Sequence, residues 1–141
     1  MGLVEERMDL FRVKGDWYYA HCIASDLRMG AGIAVLMQKR FGLRERIRVF
    51  GESVECPAVV LTGRVFNLIT KARSYGKPTY GSMEACIGMM KDKALDVGVE
   101  RIAMPMIGCG LDRLSWPKVR KMVRETFEGS GIDILACRWA S

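Results

Sequence analysis

The sequence predicts an α/β domain built around a partly parallel sheet. Strand-like apolar runs alternate with helical stretches of about ten or more residues, which is typical of strand–helix–strand units. Two short β-type runs joined by a tight turn add an antiparallel hairpin. The chain has 141 residues, half of them hydrophobic and 27% charged, as expected for one globular domain. We therefore expect a single domain over residues 1–141.

The strands are predicted from apolar, aromatic and β-branched runs bounded by glycine, proline or charged residues. They span residues 3–11, 17–23, 58–61, 65–69, 101–106 and 132–138. The charges in Glu5-Glu6-Arg7 indicate that the first of them is a weak or edge strand. Thr62-Gly63-Arg64 predicts the turn of the hairpin.

Helices are predicted over residues 33–41, 79–97 and 116–127, where apolar residues recur at helical spacing. Gly42 and Gly98 follow the first two stretches and are natural helix ends. Thr79 or Ser82 can cap the second helix. Ser115 can cap the third, whose first turn contains a proline.

The net charge and the single histidine limit the kinds of ligand and of catalytic chemistry to be expected. Lys and Arg number 22 against 16 Asp and Glu, so the net charge is +6, which suits an anionic ligand or partner. His21 is the single histidine, and it lies within a predicted strand, where a core role is expected. A His-rich metal site is thus excluded, and acid–base or nucleophilic chemistry must rest largely on carboxylates, lysines or thiols.

Cysteine use and hydropathy indicate the compartment. The five cysteines stand singly, without a Cys-x-x-Cys pair, which favours free thiols in a reducing environment. The charged N-terminal segment does not resemble a signal peptide. No apolar run approaches the length of about 18 residues that a membrane span needs. We expect an intracellular protein, cytoplasmic or nuclear, that is monomeric and not associated with membranes.

Three loops at the carboxyl ends of predicted strands are candidates for the functional site, because ligands of α/β sheets bind at that edge. The first, 26–32, contains Gly30-Ala31-Gly32 before a helix, which suits an anion or is merely a tight turn. The second, 105–113, contains Gly108-Cys109-Gly110, an amide-rich segment of the kind that holds phosphate oxygens. It also carries Asp112, a candidate carboxylate or a surface charge.

The third loop follows Lys71 at the end of a buried run. Such a lysine is usually a solvated charge, but in a cleft it becomes a candidate nucleophile. Cys109 has no base nearby in sequence and is a poor candidate nucleophile. The arginines at 40, 44, 46 and 48 predict a solvated face, with a nucleic-acid contact as the alternative.

Segments 21–34, 69–71, 77–80 and 105–114 together resemble the macrodomain family, and in particular its terminal ADP-ribose protein glycohydrolase branch. The resemblance covers nearly the whole chain, in order and at matching spacing. It implies a three-layer α/β/α fold around a mixed central sheet, with ADP-ribose lying across the top of the sheet.

The resemblance implies ADP-ribose contacts from both glycine loops, the N-terminal segment and the C-terminal end. These residues are Asp9, Leu10, Ser25, Asp26, Met29, Gly30, Ala31, Gly32, Ile33, Ile107, Gly108, Cys109, Gly110, Leu111 and Trp139. Asp9 matches the carboxylate that accepts from the adenine amino group, and Trp139 lies where an aromatic ring often packs on adenine.

The same resemblance implies that Lys71 and Asp112 are catalytic. Lys71 would attack C1 of the distal ribose in ADP-ribose ester-linked to Glu or Asp, giving a transient lysyl adduct, while Asp112 moves protons. No metal or cofactor is implied. O-acyl-ADP-ribose and ADP-ribosylated nucleic acid are further substrates of the wider branch, and a non-catalytic ADP-ribose reader is the alternative function.

The chain departs from the family pattern in three places. Met8 stands where the family usually has glycine, and Ala24-Ser25-Asp26 stands where Ser-Glu-Asp is usual. Residues 44–57 have little counterpart. These departures bear on individual ribose and adenine contacts.

Overall fold

A computed structural model of the protein describes residues 2–49 and 54–138. In these residues a mixed sheet has the strand order β1-β6-β5-β2-β4-β3. The strands are β1 (Leu3–Arg7), β2 (Tyr18–Ala24), β3 (Ala58–Thr62), β4 (Val65–Lys71), β5 (Arg101–Pro105) and β6 (Asp133–Arg138). β3 is antiparallel to β4, and the other neighbours run parallel.

The helices cover both faces of the sheet. They are α1 (Ile33–Phe41), α2 (Leu43–Val49), α3 (Tyr80–Val97) and α4 (Trp116–Phe127), with a 3-10 turn over Leu10–Arg12. Met83 and Val119 of α3 and α4 belong to the core on one face, whereas Met37 and Ile47 of α1 and α2 belong to the core on the other. The predicted three-layer α/β/α fold with a mixed sheet is confirmed.

Local signals placed most helix ends correctly. Gly42 ends α1 in the left-handed conformation at φ 61°, and Gly98 ends α3 at φ 75°. Both predicted caps of α3 act together, since Thr79 Oγ1 accepts from the Ser82 amide and Ser82 Oγ accepts from the Thr79 amide. Such a capping box satisfies two donors that a helix start would otherwise leave free.

Three local expectations need correction. The strand predicted over 3–11 ends at Arg7, because Asp9 accepts from the Phe11 amide and starts the 3-10 turn instead. Ser115 precedes α4, but its side chain makes no cap bond; its amide donates to the Tyr80 hydroxyl at 2.9 Å. Helix α2 lies in the segment for which the patterns predict no element.

His21 is a buried core residue, as predicted. Its Nε2 lies 2.7 Å from Asn67 Oδ1, and Asn67 Nδ2 donates to the Val60 carbonyl and to Thr62 Oγ1. Since the Asn67 oxygen can only accept, Nε2 carries the hydrogen. Burial lowers the pKa of His21 to about 4, although the Asn67 hydrogen bond opposes the shift. His21 is therefore neutral at physiological pH and takes no part in acid–base chemistry.

The five cysteines, all of them in the described residues, carry free thiols. Among helices that the structure describes, none is both long and apolar enough to cross a membrane.

Candidate active site

A cavity opens where two neighbouring strands separate. β2 and β5 pair from Tyr18–Ile102 to Tyr19–Ala103. Beyond this point β2 stays with β4 as far as Lys71, whereas β5 stays with β6 as far as Cys137. The chain leaves the two strands in opposite directions along the sheet, so the opening is a topological switch point, the usual ligand position in such sheets. Its volume is about 790 Å³.

All three predicted loops contribute to the wall of this cavity. The predicted site residues that line it are Met29, Gly30, Ala31, Gly32, Ile33, Lys71, Ile107, Gly108, Cys109, Gly110, Leu111 and Asp112. The two glycine loops also approach each other, because a Cβ built on Gly32 would lie 3.3 Å from Leu111 Cδ1. The tertiary structure thus brings together loops that are far apart in sequence.

Lys71 and Asp112 form an ion pair in the cavity wall. Lys71 Nζ donates to Asp112 Oδ1 at 2.7 Å, and each side chain is only 15% exposed. Partial exclusion of water strengthens a charge-assisted hydrogen bond of this kind. The pair places an amine beside a carboxylate that can accept its proton.

A β-bulge places Lys71. Ile23 pairs with Ile69, but the next residue, Ala24, pairs with Lys71, so Thr70 is an extra residue on β4. Bulges re-aim the side chains that follow them and are common beside active sites. The Thr70 carbonyl accepts from Ser82 Oγ at 2.7 Å, and the Lys71 carbonyl accepts from the Ser25 amide at 2.9 Å. The backbone of β4 is therefore held at the bulge residue and at Lys71.

Close packing at Gly108 places Asp112. Gly108 has φ +74°, and a Cβ there would lie 2.5 Å from Met83 Cε and 3.0 Å from Leu114 Cδ1. The Leu114 amide donates to the Gly108 carbonyl at 2.7 Å, which closes the loop on itself. Lys77 Nζ donates to the carbonyl of Leu111, the residue directly before Asp112, at 2.8 Å.

The first glycine loop begins with a carboxylate that holds two chain segments together. Asp26 Oδ1 accepts from Ser74 Oγ at 2.6 Å, and Oδ2 accepts from the Ser74 amide at 2.8 Å. Burial alone would raise the pKa of Asp26, but these bonds, the Arg28 amide and the charge of Arg28 lower it below its usual value. In this structure Asp26 joins the first loop to the segment after β4.

Four predicted ligand residues lie outside the lining that the structure describes: Asp9, Leu10, Ser25 and Asp26. Leu10 is buried in the core and Asp9 caps the 3-10 turn. The Asp9 charge nevertheless contributes, after burial, to the raised pKa of Cys137, which does line the cavity. The ligand contacts of these four residues stay predictions. Trp139 lies outside the described residues.

Sequence reasoning missed several lining residues, among them Ser74, Lys77, Cys22 and Cys137. Lys77 and Ser74 belong to the segment between β4 and α3, which starts at the same sheet edge as the other two loops. That position is the signal that could have identified them.

The cavity thiols are poor nucleophiles. Burial raises the pKa of Cys109 and of Cys137 to about 11, and it raises the pKa of Cys22 as well. A thiol with such a pKa stays protonated at neutral pH. Lys71 is the better candidate for a nucleophile, because a carboxylate that can accept its proton lies 2.7 Å away, whereas Cys109 Sγ donates to the Ile107 carbonyl.

The arginine cluster is largely a solvated face, as predicted, since Arg40, Arg46 and Arg48 are exposed and Arg44 is half-buried. Arg40 lies 5.3 Å from the ring centre of Phe11, in a cation–π geometry. Arg46 packs beside Gly63.

Over the described residues 2–49 and 54–138, no group of three or more His, Cys, Asp or Glu is arranged to hold a metal ion.

The cavity combines glycine-rich loops and a helix N-terminus with the Lys71–Asp112 ion pair. α1 begins at the cavity, and its N-cap Gly32 makes no side-chain cap bond. Amides at a helix N-terminus and in glycine loops attract negative charge. The geometry defines a ligand-binding α/β domain with an amine and a carboxylate at one point of its site.

Comparison with known proteins identifies the family. The chain is 44% identical over 131 residues to the protein named ADP-ribose glycohydrolase OARD1 from Homo sapiens, covering 86% of each chain. The Bos taurus protein of the same name is 43% identical over 131 residues, again with 86% coverage of each. No protein-family model matches the sequence.

Solved macrodomains share the fold. The macrodomain of Thermus aquaticus DarG superposes with a TM-score of 0.82 at 20% identity, covering 99% of this chain and 98% of that one. A Trypanosoma brucei macrodomain in complex with ADP-ribose superposes with a TM-score of 0.75 at 14% identity, covering 96% of this chain and 63% of that one. The chain belongs to the macrodomain family.

Proposed function

We propose that the protein is an ADP-ribosyl glycohydrolase that removes ADP-ribose from glutamate or aspartate side chains of mono-ADP-ribosylated proteins. The observation that carries the proposal is the ion pair of Lys71 and Asp112 in a cavity lined by two glycine loops. The identity of 44% to a protein named ADP-ribose glycohydrolase supports the same reaction class.

The cavity suits ADP-ribose in size and polarity. Its volume of about 790 Å³ is within the range of pockets that hold ligands of this size. The diphosphate would lie between the Gly30–Gly32 and Gly108–Gly110 segments, where amides and the start of α1 favour negative charge. The distal ribose would then face Lys71, and the adenine would extend toward Asp9.

The reaction begins with proton transfer within the ion pair. Lys71 passes a proton to Asp112 and becomes a neutral amine, which attacks C1 of the distal ribose. The bond between C1 and the ester oxygen breaks, and its electron pair leaves with the carboxylate of the substrate protein. ADP-ribose is then attached to Lys71 through a C1–N bond.

Water completes the cycle. Its oxygen attacks C1, the C1–N bond breaks, and the amine leaves with the electron pair and takes up the proton that Asp112 holds. The proton lost by the water passes to solvent. Free ADP-ribose is released and the Lys71–Asp112 ion pair is restored.

The test is turnover of protein that carries ADP-ribose on glutamate. We expect wild-type protein to release ADP-ribose and Lys71→Met to lose this activity while still binding ADP-ribose in calorimetry. Lys93→Met is the matched control, because it removes an exposed lysine of α3 that is not part of the described cavity lining. Full activity in Lys71→Met would contradict the catalytic assignment.

Two other results would change the function proposed. Tight ADP-ribose binding with no release from any protein or DNA conjugate would make the protein a reader of ADP-ribose. Release from modified DNA alone would make nucleic acid the substrate, and that activity should fall steeply with added salt.

A further inference from the structure

Arg44 reaches from helix α2 back to the first glycine loop. Its Nε donates to the Leu27 carbonyl at 2.8 Å, and its NH2 group donates to the Arg28 carbonyl. These contacts span 17 and 16 residues of sequence. The guanidinium fork therefore connects α2 to a loop that precedes α1.

The segment that Arg44 contacts has an unusual backbone. Leu27 has φ 56° and Met29 has φ 48°, in the left-handed region that non-glycine residues rarely adopt. Their side chains are buried in the core, at 6% and 7% exposure. A backbone of this kind persists only where surrounding contacts over-determine it.

One peptide unit of the loop is held on both sides. The carbonyl of Leu27 accepts from Arg44, and the amide of Arg28, in the same peptide plane, donates to Asp26 Oδ1 at 3.1 Å. Because a peptide unit is planar, fixing its carbonyl and its amide fixes its orientation. The backbone therefore approaches Met29 and Gly30 in one defined orientation.

Arg44 is itself held in place. Its amide donates to Gln38 Oε1 at 2.7 Å, and Gln38 Nε2 donates to Glu45 Oε2 at 3.2 Å. Gly42 makes the turn between the two helices. The corner between α1 and α2 thus presents the guanidinium group to the loop.

We propose that Arg44 is a positioning residue for ligand binding: by fixing Leu27 and Arg28 it holds residues 29–32, which line the cavity, in the conformation that receives the ligand. The nature of the ligand, a nucleoside diphosphate sugar, rests on the proposed function, whereas the effect on the loop does not. A lysine at this position keeps the charge but cannot supply the same two-pronged donor.

The test compares Arg44→Met and Arg44→Lys with Arg48→Met, which removes one charge from an exposed position on the same helix. The first measurement is hydrogen exchange of the amides of residues 27–33 without ligand. We expect Arg44→Met to raise that exchange about tenfold or more and to weaken ADP-ribose binding about ten- to hundredfold, as loss of a supporting contact commonly does. Arg44→Lys should lie between, and Arg48→Met should match wild type.

Steady-state kinetics separate positioning from general damage. KM for the ADP-ribosylated substrate should rise in Arg44→Met while kcat stays within about twofold of wild type. Unchanged exchange and affinity in Arg44→Met, or an equal loss in Arg48→Met, would overturn the inference. Should Arg44→Met fail to fold, Arg44→Lys decides, because exchange equal to wild type in that variant contradicts the role.

A failure of the proposed function would be recognised separately. Wild-type protein that does not bind ADP-ribose contradicts the function, and the loop exchange still decides whether Arg44 positions residues 27–32.

Discussion

The two glycine loops that line the cavity reach their shapes by different routes. The first, residues 26–32, has left-handed backbone at Leu27 and Met29 and is held by Arg44 and by the bonds between Asp26 and Ser74. The second, residues 105–113, has left-handed backbone at Gly108, which packs tightly against Met83, and at Arg113. Substitution of Arg44 should therefore disturb the first loop, whereas substitution of Gly108 should disturb the second.

The loops also differ in the chemistry that they contribute. The cavity-lining residues of the first loop are uncharged, whereas the second brings a carboxylate into contact with Lys71. The first loop is thus suited to binding alone, and the second to binding and catalysis. Four substitutions test how each loop is held and what it contributes, beginning with the largest expected effect.

The strongest effect should come from Asp112→Asn in the second loop. The amide preserves the size of the side chain but cannot take a proton from Lys71, so we expect turnover to fall about 10²- to 10⁴-fold. ADP-ribose affinity should stay within a few-fold of wild type. Release of ADP-ribose from glutamate-linked substrate, with calorimetry alongside, measures both. Retained turnover would leave the second loop as a binding loop only.

The second-largest effect is expected on the stability of the folded protein. In Gly108→Ala the new Cβ meets Met83 and Leu114 in a backbone conformation at φ +74°, so we expect a loss of about 1–3 kcal/mol in unfolding free energy. Gly110→Ala is the matched control, because its Cβ would meet no atom within 4 Å. It should change stability by less than about 0.5 kcal/mol in urea unfolding. Equal losses in the two variants would contradict the local packing argument.

The first loop should show its dependence on Asp26 through pH. The folded-state pKa of Asp26 is below its usual value of 3.8, so its ionised form stabilises the fold above that pH. This stabilisation is lost as the pH falls through the folded-state pKa. Asp26→Asn should therefore be less stable than wild type at pH 7, with a smaller difference near pH 3. Urea unfolding at both pH values is the measurement, and a constant difference would contradict it.

Lys77→Met should have the smallest effect. The ammonium group donates to the Leu111 carbonyl from an exposed position, where such contacts contribute about 1 kcal/mol or less. Turnover should stay within about fivefold of wild type, since the packing at Gly108 holds the second loop without this contact. A loss as large as that of Asp112→Asn would show that Lys77 takes part in the reaction.

Much of the fold could be predicted because its signals are local. Gly42, Gly98 and the Thr79–Ser82 pair act where the sequence pattern places them. Asp9 is an exception, since its cap starts a 3-10 turn within the segment that the sequence pattern predicts as a strand. Helix α2 is short, and its stability depends on the burial of Leu43 and Ile47 against the rest of the core.

Much of the candidate site could also be predicted, because glycines, Lys71 and Asp112 stand at strand ends, and strand ends of one sheet meet at one edge. The β-bulge at Thr70 could not, since it depends on how β2 and β4 pair. The presence of Lys77 and Ser74 in the cavity wall could not be predicted either, because it depends on the path of the segment after β4.

Local sequence patterns were thus enough to predict the six strands and three of the four helices of the described residues, the glycine-rich loops, and the residue types available for chemistry. Tertiary structure alone decided the distance of 2.7 Å between Lys71 and Asp112, the role of Asp26 as a link to Ser74, and the reach of Arg44 to the first loop. The two groups of features differ in how far apart in sequence the interacting residues lie. Caps and turns are set by neighbouring residues, whereas these contacts form only after distant segments pack together.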